Sequence, residues 1–189
     1  MAPSPEPVRR IVLLGMMAAG KTAVGAALAD RLGWRHVDLD REVERAAGRS
    51  VAALFAAEGE AAFRAMEARA TRVLAGEAGL VLSPGGGWIT TAGLLEALGP
   101  GTFSVWLRVA PEEAVRRAAA TPGERPLLAG PDPLGAVRRL LAEREPLYAR
   151  ADLALRTDRR TVDDLAETIL THVRARGTHP PAAAEGTDD

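Results

Sequence analysis

The only lysine of the chain, Lys21, falls inside Gly15-Met16-Met17-Ala18-Ala19-Gly20-Lys21-Thr22, which fits the pattern GxxxxGK[ST]. Glycines let such a loop wrap around phosphate oxygens, and its amides donate to them together with the N-terminus of the following helix. Gly15, Ala18, Ala19, Gly20 and Ala23 are the expected backbone cradle. Lys21 would neutralise charge on the β- and γ-phosphates, and Thr22 would ligate Mg²⁺. A compositional preference for arginine explains why lysine is scarce, but not why the one lysine sits here.

Downstream, Asp38 and Asp40 flank Leu39 at the end of an apolar run. If that run is a strand, alternation puts both carboxylates on one side and Leu39 on the other. One carboxylate near Mg²⁺, here Asp38, and one near an acceptor hydroxyl, here Asp40, is what phosphoryl transfer needs, since its catalysis is mostly positioning and charge compensation. The competing reading is that Asp38 or Asp40 caps a helix starting near Arg41.

These residues require a strand–loop–helix frame, and the chain supplies one. Arg10–Leu14 reads as a β-branched strand, Thr22–Leu32 as a helix closed by Gly33, and Trp34–Leu39 as a second strand. From Arg41 to about Gly79 the chain is helical with breaks at Gly48 and Gly59. Leu80–Leu82 is a third strand running into Ser83-Pro84-Gly85-Gly86-Gly87, and Thr102–Val109 a fourth. Pro111 opens a further helix. A proline- and glycine-rich stretch, about 118–133, is expected to be a mobile lid; Leu134–Ala149 is helical, Leu153–Leu155 a fifth strand and Val162–Arg174 a final helix. Strands alternating with helices predict an α/β fold, a parallel sheet covered on both faces with ligands at the carboxyl ends of its strands.

With 189 residues, one domain is expected over 1–176, followed by a polar, proline-rich and disordered tail, 177–189. A formal net charge of −1 gives no general attraction to nucleic acid or anionic membranes. No cysteine is present, which excludes disulfides and thiolate chemistry. Without a secretory h-region or a membrane-length apolar run, a cytoplasmic location is expected.

The series of motifs resembles the shikimate kinases over about residues 10–174. Beside the phosphate loop it comprises Asp38-Leu39-Asp40, Phe63-Arg64-Ala65-Met66-Glu67, Gly85-Gly86-Gly87, Arg125-Pro126-Leu127-Leu128 and Glu143-Arg144-Glu145-Pro146-Leu147-Tyr148. The resemblance implies a three-layer α/β/α sandwich of P-loop type with a five-stranded parallel sheet, a helical substrate-binding insertion at about 41–79, and a monomer using ATP, Mg²⁺ and shikimate. It implies that Asp40, Arg64, Gly85, Gly86 and Gly87 hold the hydroxyls and carboxylate, and that Arg144 pairs the carboxylate from the other side. Asp40 would be the acceptor base and Arg125 an arginine finger on the lid. Phe55 and Phe63 would wall the pocket, and Arg117 would stack on adenine.

Each residue also has a plainer reading. Arg64 could be a surface partner of Glu67, Arg144 could pair with nearby acids, and Phe55, Phe63 and the three tryptophans could be core. Ala18 needs an unusual backbone angle for an alanine, and Trp88, directly after the glycines, could instead narrow or reshape the acceptor site. A kinase of another small hydroxy acid such as gluconate, a nucleotide kinase, or a non-catalytic nucleotide-binding module would share the phosphate loop.

Overall fold

The computed structural model describes residues 6–120 and 130–178. Five strands, β1 (Arg10–Leu14), β2 (Arg35–Asp38), β3 (Leu80–Ser83), β4 (Thr102–Arg108) and β5 (Leu153–Arg156), form one sheet in the order β2-β3-β1-β4-β5. All pairings are parallel, as expected for strands joined by helical crossovers. β1 is buried along its whole length, and so is β3, which is why both read as unbroken apolar runs rather than alternating ones.

Helix α1 (Lys21–Leu32) follows β1 and packs with α7 (Val162–Ala175) and over β2 and β3. α2 (Leu39–Ala47) and α3 (Val51–Leu74) form the insertion. α4 (Leu94–Ala97) follows a 3₁₀ turn at Trp88–Thr90. α5 (Pro111–Ala120) and α6 (Pro133–Tyr148) pack together, and α6 reaches the sheet through the Tyr148 ring, stacked on Trp106 of β4 with centroids 5.8 Å apart. Gly59 interrupts α3 at φ 81°, ψ 173°, so α3 is two helical halves across a kink. A satellite cluster of Val43, Leu54 and Phe63 holds α2 to both halves.

Three expectations change. The second strand stops at Asp38, not Leu39, because the Asp38 carboxylate accepts from the Arg41 amide at 3.4 Å and starts α2 at once. Asp40 therefore lies in the first turn of a helix, and strand alternation does not relate it to Asp38. Trp34, expected to open that strand, precedes it and is core. The start of the expected tail is tied down: Gly177 O accepts from Val8 N at 2.8 Å and Thr178 bridges Val8. The ends of the expected lid belong to α5 and α6, while 121–129, Arg125 among them, lie outside the described residues.

Candidate active site

The phosphate loop leaves β1 at the centre of the sheet. Gly15 takes φ 142°, Ala18 the left-handed φ 58°, and Gly20 φ 95° as it caps α1. Ala18 thus occupies the small left-handed basin, at a cost of roughly 1 kcal/mol for a residue with a Cβ. Lys21 Nζ donates to the loop's own carbonyls, Gly15 O at 2.9 Å and Met16 O at 3.0 Å. Burial pushes its pKa down to about 8, against the opposing pull of Asp40 and Asp38 and with a further push from Arg144. Ser83, at the end of β3, donates to Lys21 O at 3.1 Å and sits 3.0 Å from His36 Nε2. That relay fastens the start of α1 to the sheet.

Thr22 Oγ1 donates to Asp38 Oδ2 at 2.8 Å. The two residues expected at the metal are thus adjacent at the phosphate loop, and paired hard oxygens there suit Mg²⁺, which takes few protein ligands and completes its shell with water and phosphate.

Opposite the loop, the triple glycine forms a wall with no side chains, and each glycine meets a different charged group. A Cβ at Gly85 would stand 2.8 Å from Asp40 Oδ1. One at Gly86 would lie 3.5 Å from an Arg144 guanidinium nitrogen and from Met17 N, and one at Gly87 would overlap the Arg64 guanidinium. Gly85 and Gly87 are needed for close approach, whereas a Cβ at Gly86 would make only ordinary contact.

Arg144 reaches the wall because Tyr148, one turn further along α6, donates to Gly86 O at 2.5 Å and pins that helix end. Arg64 is held on α3 by Glu67 Oε2 at 2.5 Å and Glu60 Oε1 at 2.9 Å, with its guanidinium carbon 5.4 Å from the Phe63 ring centroid. It does pair with Glu67, as its plainer reading had it, but Glu67 is wholly buried and the pair is no solvated-face contact.

The electrostatics follow from this crowding. Burial raises the Asp40 pKa above the ordinary carboxylate value, with Asp38 adding to the rise and Lys21 and Arg64 opposing it. Burial likewise pushes Glu67 up to about 7 against the pull of Arg64. Among the described residues, three buried side-chain atoms have no hydrogen-bond partner: Asp40 Oδ1, Glu67 Oε1 and Arg144 Nε. All three belong to the groups gathered at the glycine wall or to the partner of one.

A family model described as shikimate kinase matches residues 17–174. The chain belongs to the shikimate kinase family. A shikimate kinase of Symbiobacterium thermophilum is 46% identical over 169 residues, which are 88% of this chain and 97% of the relative. One from Thermus thermophilus is 41% identical over 180 residues, 92% of this chain and 96% of that one. A solved shikimate kinase from Acinetobacter baumannii, in complex with shikimate, superposes with a TM-score of 0.82 at 36% identity, covering 89% of this chain and 94% of that chain. The α/β sheet of five parallel strands is the fold of this kinase family.

Other site residues of the expected set fall as follows. Phe55 and Phe63 meet with ring centroids 5.0 Å apart; Phe63 is buried core, while Phe55 is 37% exposed. Arg117 donates to Thr157 O at 3.0 Å and Ala18 O at 3.4 Å and pairs with Glu113, which places it beside the phosphate loop. Trp88 does not narrow the acceptor site: it is wholly buried, and its indole N–H donates to Thr71 Oγ1 at 2.9 Å. Sequence reasoning passed over Ser83 and Thr71. A serine ending a strand and a threonine inside an alanine-rich helix carry no local pattern that marks them.

Proposed function

We propose that the chain transfers the γ-phosphoryl group of ATP to the 3-hydroxyl of shikimate, giving shikimate 3-phosphate and ADP. The observation that carries this is the set of unpaired atoms at the glycine wall. Buried polar groups are nearly always satisfied in a finished fold, so the acceptor Asp40 Oδ1 and the donor Arg144 Nε, left open beside the wall, suit a ligand bearing hydroxyls and an anionic group. Arg64 and Arg144 flank the wall from two helices, and guanidinium forks match a carboxylate and stay charged. Membership of the shikimate kinase family and the likeness to an enzyme solved with shikimate support the same acceptor.

In the reaction, Asp40 Oδ1 accepts the hydrogen bond of the acceptor hydroxyl, orients its oxygen toward the γ-phosphorus and takes the proton as the new P–O bond forms. The old P–O bond breaks with its electrons going to ADP. Lys21 swings from the carbonyls of Gly15 and Met16 to the β- and γ-phosphates. Thr22 and Asp38 would hold Mg²⁺, which would neutralise phosphate charge when bound. For Arg125 the finger role rests on the Arg125-Pro126-Leu127-Leu128 motif. A monomer acting in the cytoplasm, where ATP is abundant, is part of the same proposal.

The test is ADP release with shikimate, gluconate and nucleoside monophosphates assayed in parallel. Shikimate is expected to give the highest kcat/KM; a clear preference for either alternative overturns the proposal.

A further inference from the structure

Trp88 and Thr71 are uncharged and wholly buried, yet they close a circuit around Arg64. The indole can only donate, so its N–H is given to Thr71 Oγ1 at 2.9 Å, and the threonine hydroxyl must then donate onward, to Glu67 O at 2.7 Å. Glu67 lies one turn before Thr71 on α3, and its carboxylate takes the Arg64 guanidinium at 2.5 Å. That guanidinium lies against Gly87, the residue that precedes Trp88 in the chain. Gly87, Trp88, Thr71, Glu67 and Arg64 thus form a ring that starts and ends on the wall. Trp88 and Thr71 are wholly buried, so no water competes for either bond.

The 3₁₀ turn at Trp88–Thr90 and the helix α3 are otherwise separate elements, joined to different parts of the sheet. Glu67 is the buried one of the two acids that hold Arg64, the other being the exposed Glu60, and its backbone carbonyl is where the Trp88 tether ends. Shifting α3 along its axis would carry Arg64 away from Gly87. The indole–threonine bond is the polar contact that opposes such a shift from the wall's side.

We infer that Trp88 and Thr71 are positioning residues that set the placement of Arg64 for the acceptor's anionic group through Glu67. This rests on Arg64 holding that group, as proposed above. Their effect falls on acceptor binding and not on the nucleotide.

The decisive variants are Thr71→Val, which keeps the shape and removes the hydroxyl, and Trp88→Phe, which removes the donor. Each is expected to raise the KM for shikimate by about fivefold, the factor belonging to one buried neutral hydrogen bond, with the KM for ATP unchanged. Because both cut the same ring, the double variant is expected to show the same fivefold rise as either single one, not the product. Thr71→Ser restores the hydroxyl and is expected to keep the parent KM even where loss of a methyl lowers the Tm. Should Trp88→Phe fold poorly, Thr71→Val and Thr71→Ser carry the test alone. A lowered Tm with an unchanged shikimate KM, or equal changes in both KM values, would overturn the inference. Arg64→Ala run alongside separates the two levels: if it raises the shikimate KM while Thr71→Val does not, only the positioning role falls. If Arg64→Ala has no effect on that KM, the acceptor reading itself falls.

Discussion

The two ends of the sheet bury charge in opposite ways. At the end where the strands begin, Arg10 is 5% exposed and its guanidinium donates to Glu77 O at 2.8 Å, Leu98 O at 2.6 Å, Pro100 O at 3.1 Å and Thr102 Oγ1 at 3.4 Å. It collects carbonyls that α3, α4 and the following turn cannot pair themselves, and it closes the core beneath β1. At the end where the strands finish, Asp40, Glu67 and Arg144 each keep a buried atom unpaired. Burial costs are compensated locally at the first end and left standing at the second, where a ligand can compensate them.

Asp40→Asn tests the contrast most strongly. It is expected to lower kcat about a thousandfold, within the span of general-base contributions, while ATP affinity stays near the parent value and the Tm holds or rises. Single-turnover ADP formation and thermal melts check this together, and retained turnover would remove Asp40 from proton transfer. Arg64→Ala comes next, with a shikimate KM raised about thirtyfold, as for a lost charged hydrogen bond, and an ATP KM almost unmoved. Equal changes in both would make Arg64 structural.

Arg10→Met is the mirror image. It leaves carbonyls unpaired and is expected to destabilise by about 2 kcal/mol in denaturant melts, with kcat/KM intact below the transition. A smaller effect comes from pH. Burial brings the Lys21 pKa down to about 8 from 10.5, so the free enzyme loses this charge as pH rises past 8 and the KM for ATP climbs. The sign for stability is reversed: between about 8 and 10.5 the unfolded chain binds more protons, so this group's contribution to stability increases with pH. A KM for ATP flat from pH 7 to 9.5 would contradict the placement of Lys21. Smallest is Ala18→Gly, expected to stabilise by at most about 1 kcal/mol by relieving the left-handed alanine.

Legibility in the sequence tracks locality. β1, the phosphate loop and α1 were readable because their signals lie within about twenty consecutive residues and agree with one another. The acidic pair was readable as chemistry but not as geometry. Whether Asp38 extends a strand or caps a helix depends on where Leu39 is buried, and burial is a tertiary fact. Arg64 carried two readings, partner of Glu67 and ligand for a substrate; the first holds, at a buried acid rather than on a solvated face, and the same guanidinium lies against Gly87. Trp88 carried two readings, core and a group narrowing the acceptor site, and burial decides for core, because residue type alone does not tell which way a ring points. The unpaired atoms were invisible, since they arise only when α2, α3 and α6 meet the turn after β3.

The wall at Gly85–Gly87 has a consequence for how the enzyme can diversify. At each of its three positions a methyl would meet a different neighbour: Asp40, then Arg144 with the phosphate loop, then Arg64. Two of those meetings, at Gly85 and Gly87, are too close to stand without a shift. The wall therefore tolerates change unevenly: a side chain at Gly85 or Gly87 would displace a charged group of the site, whereas a methyl at Gly86 would only fill space beside Arg144 and the phosphate loop.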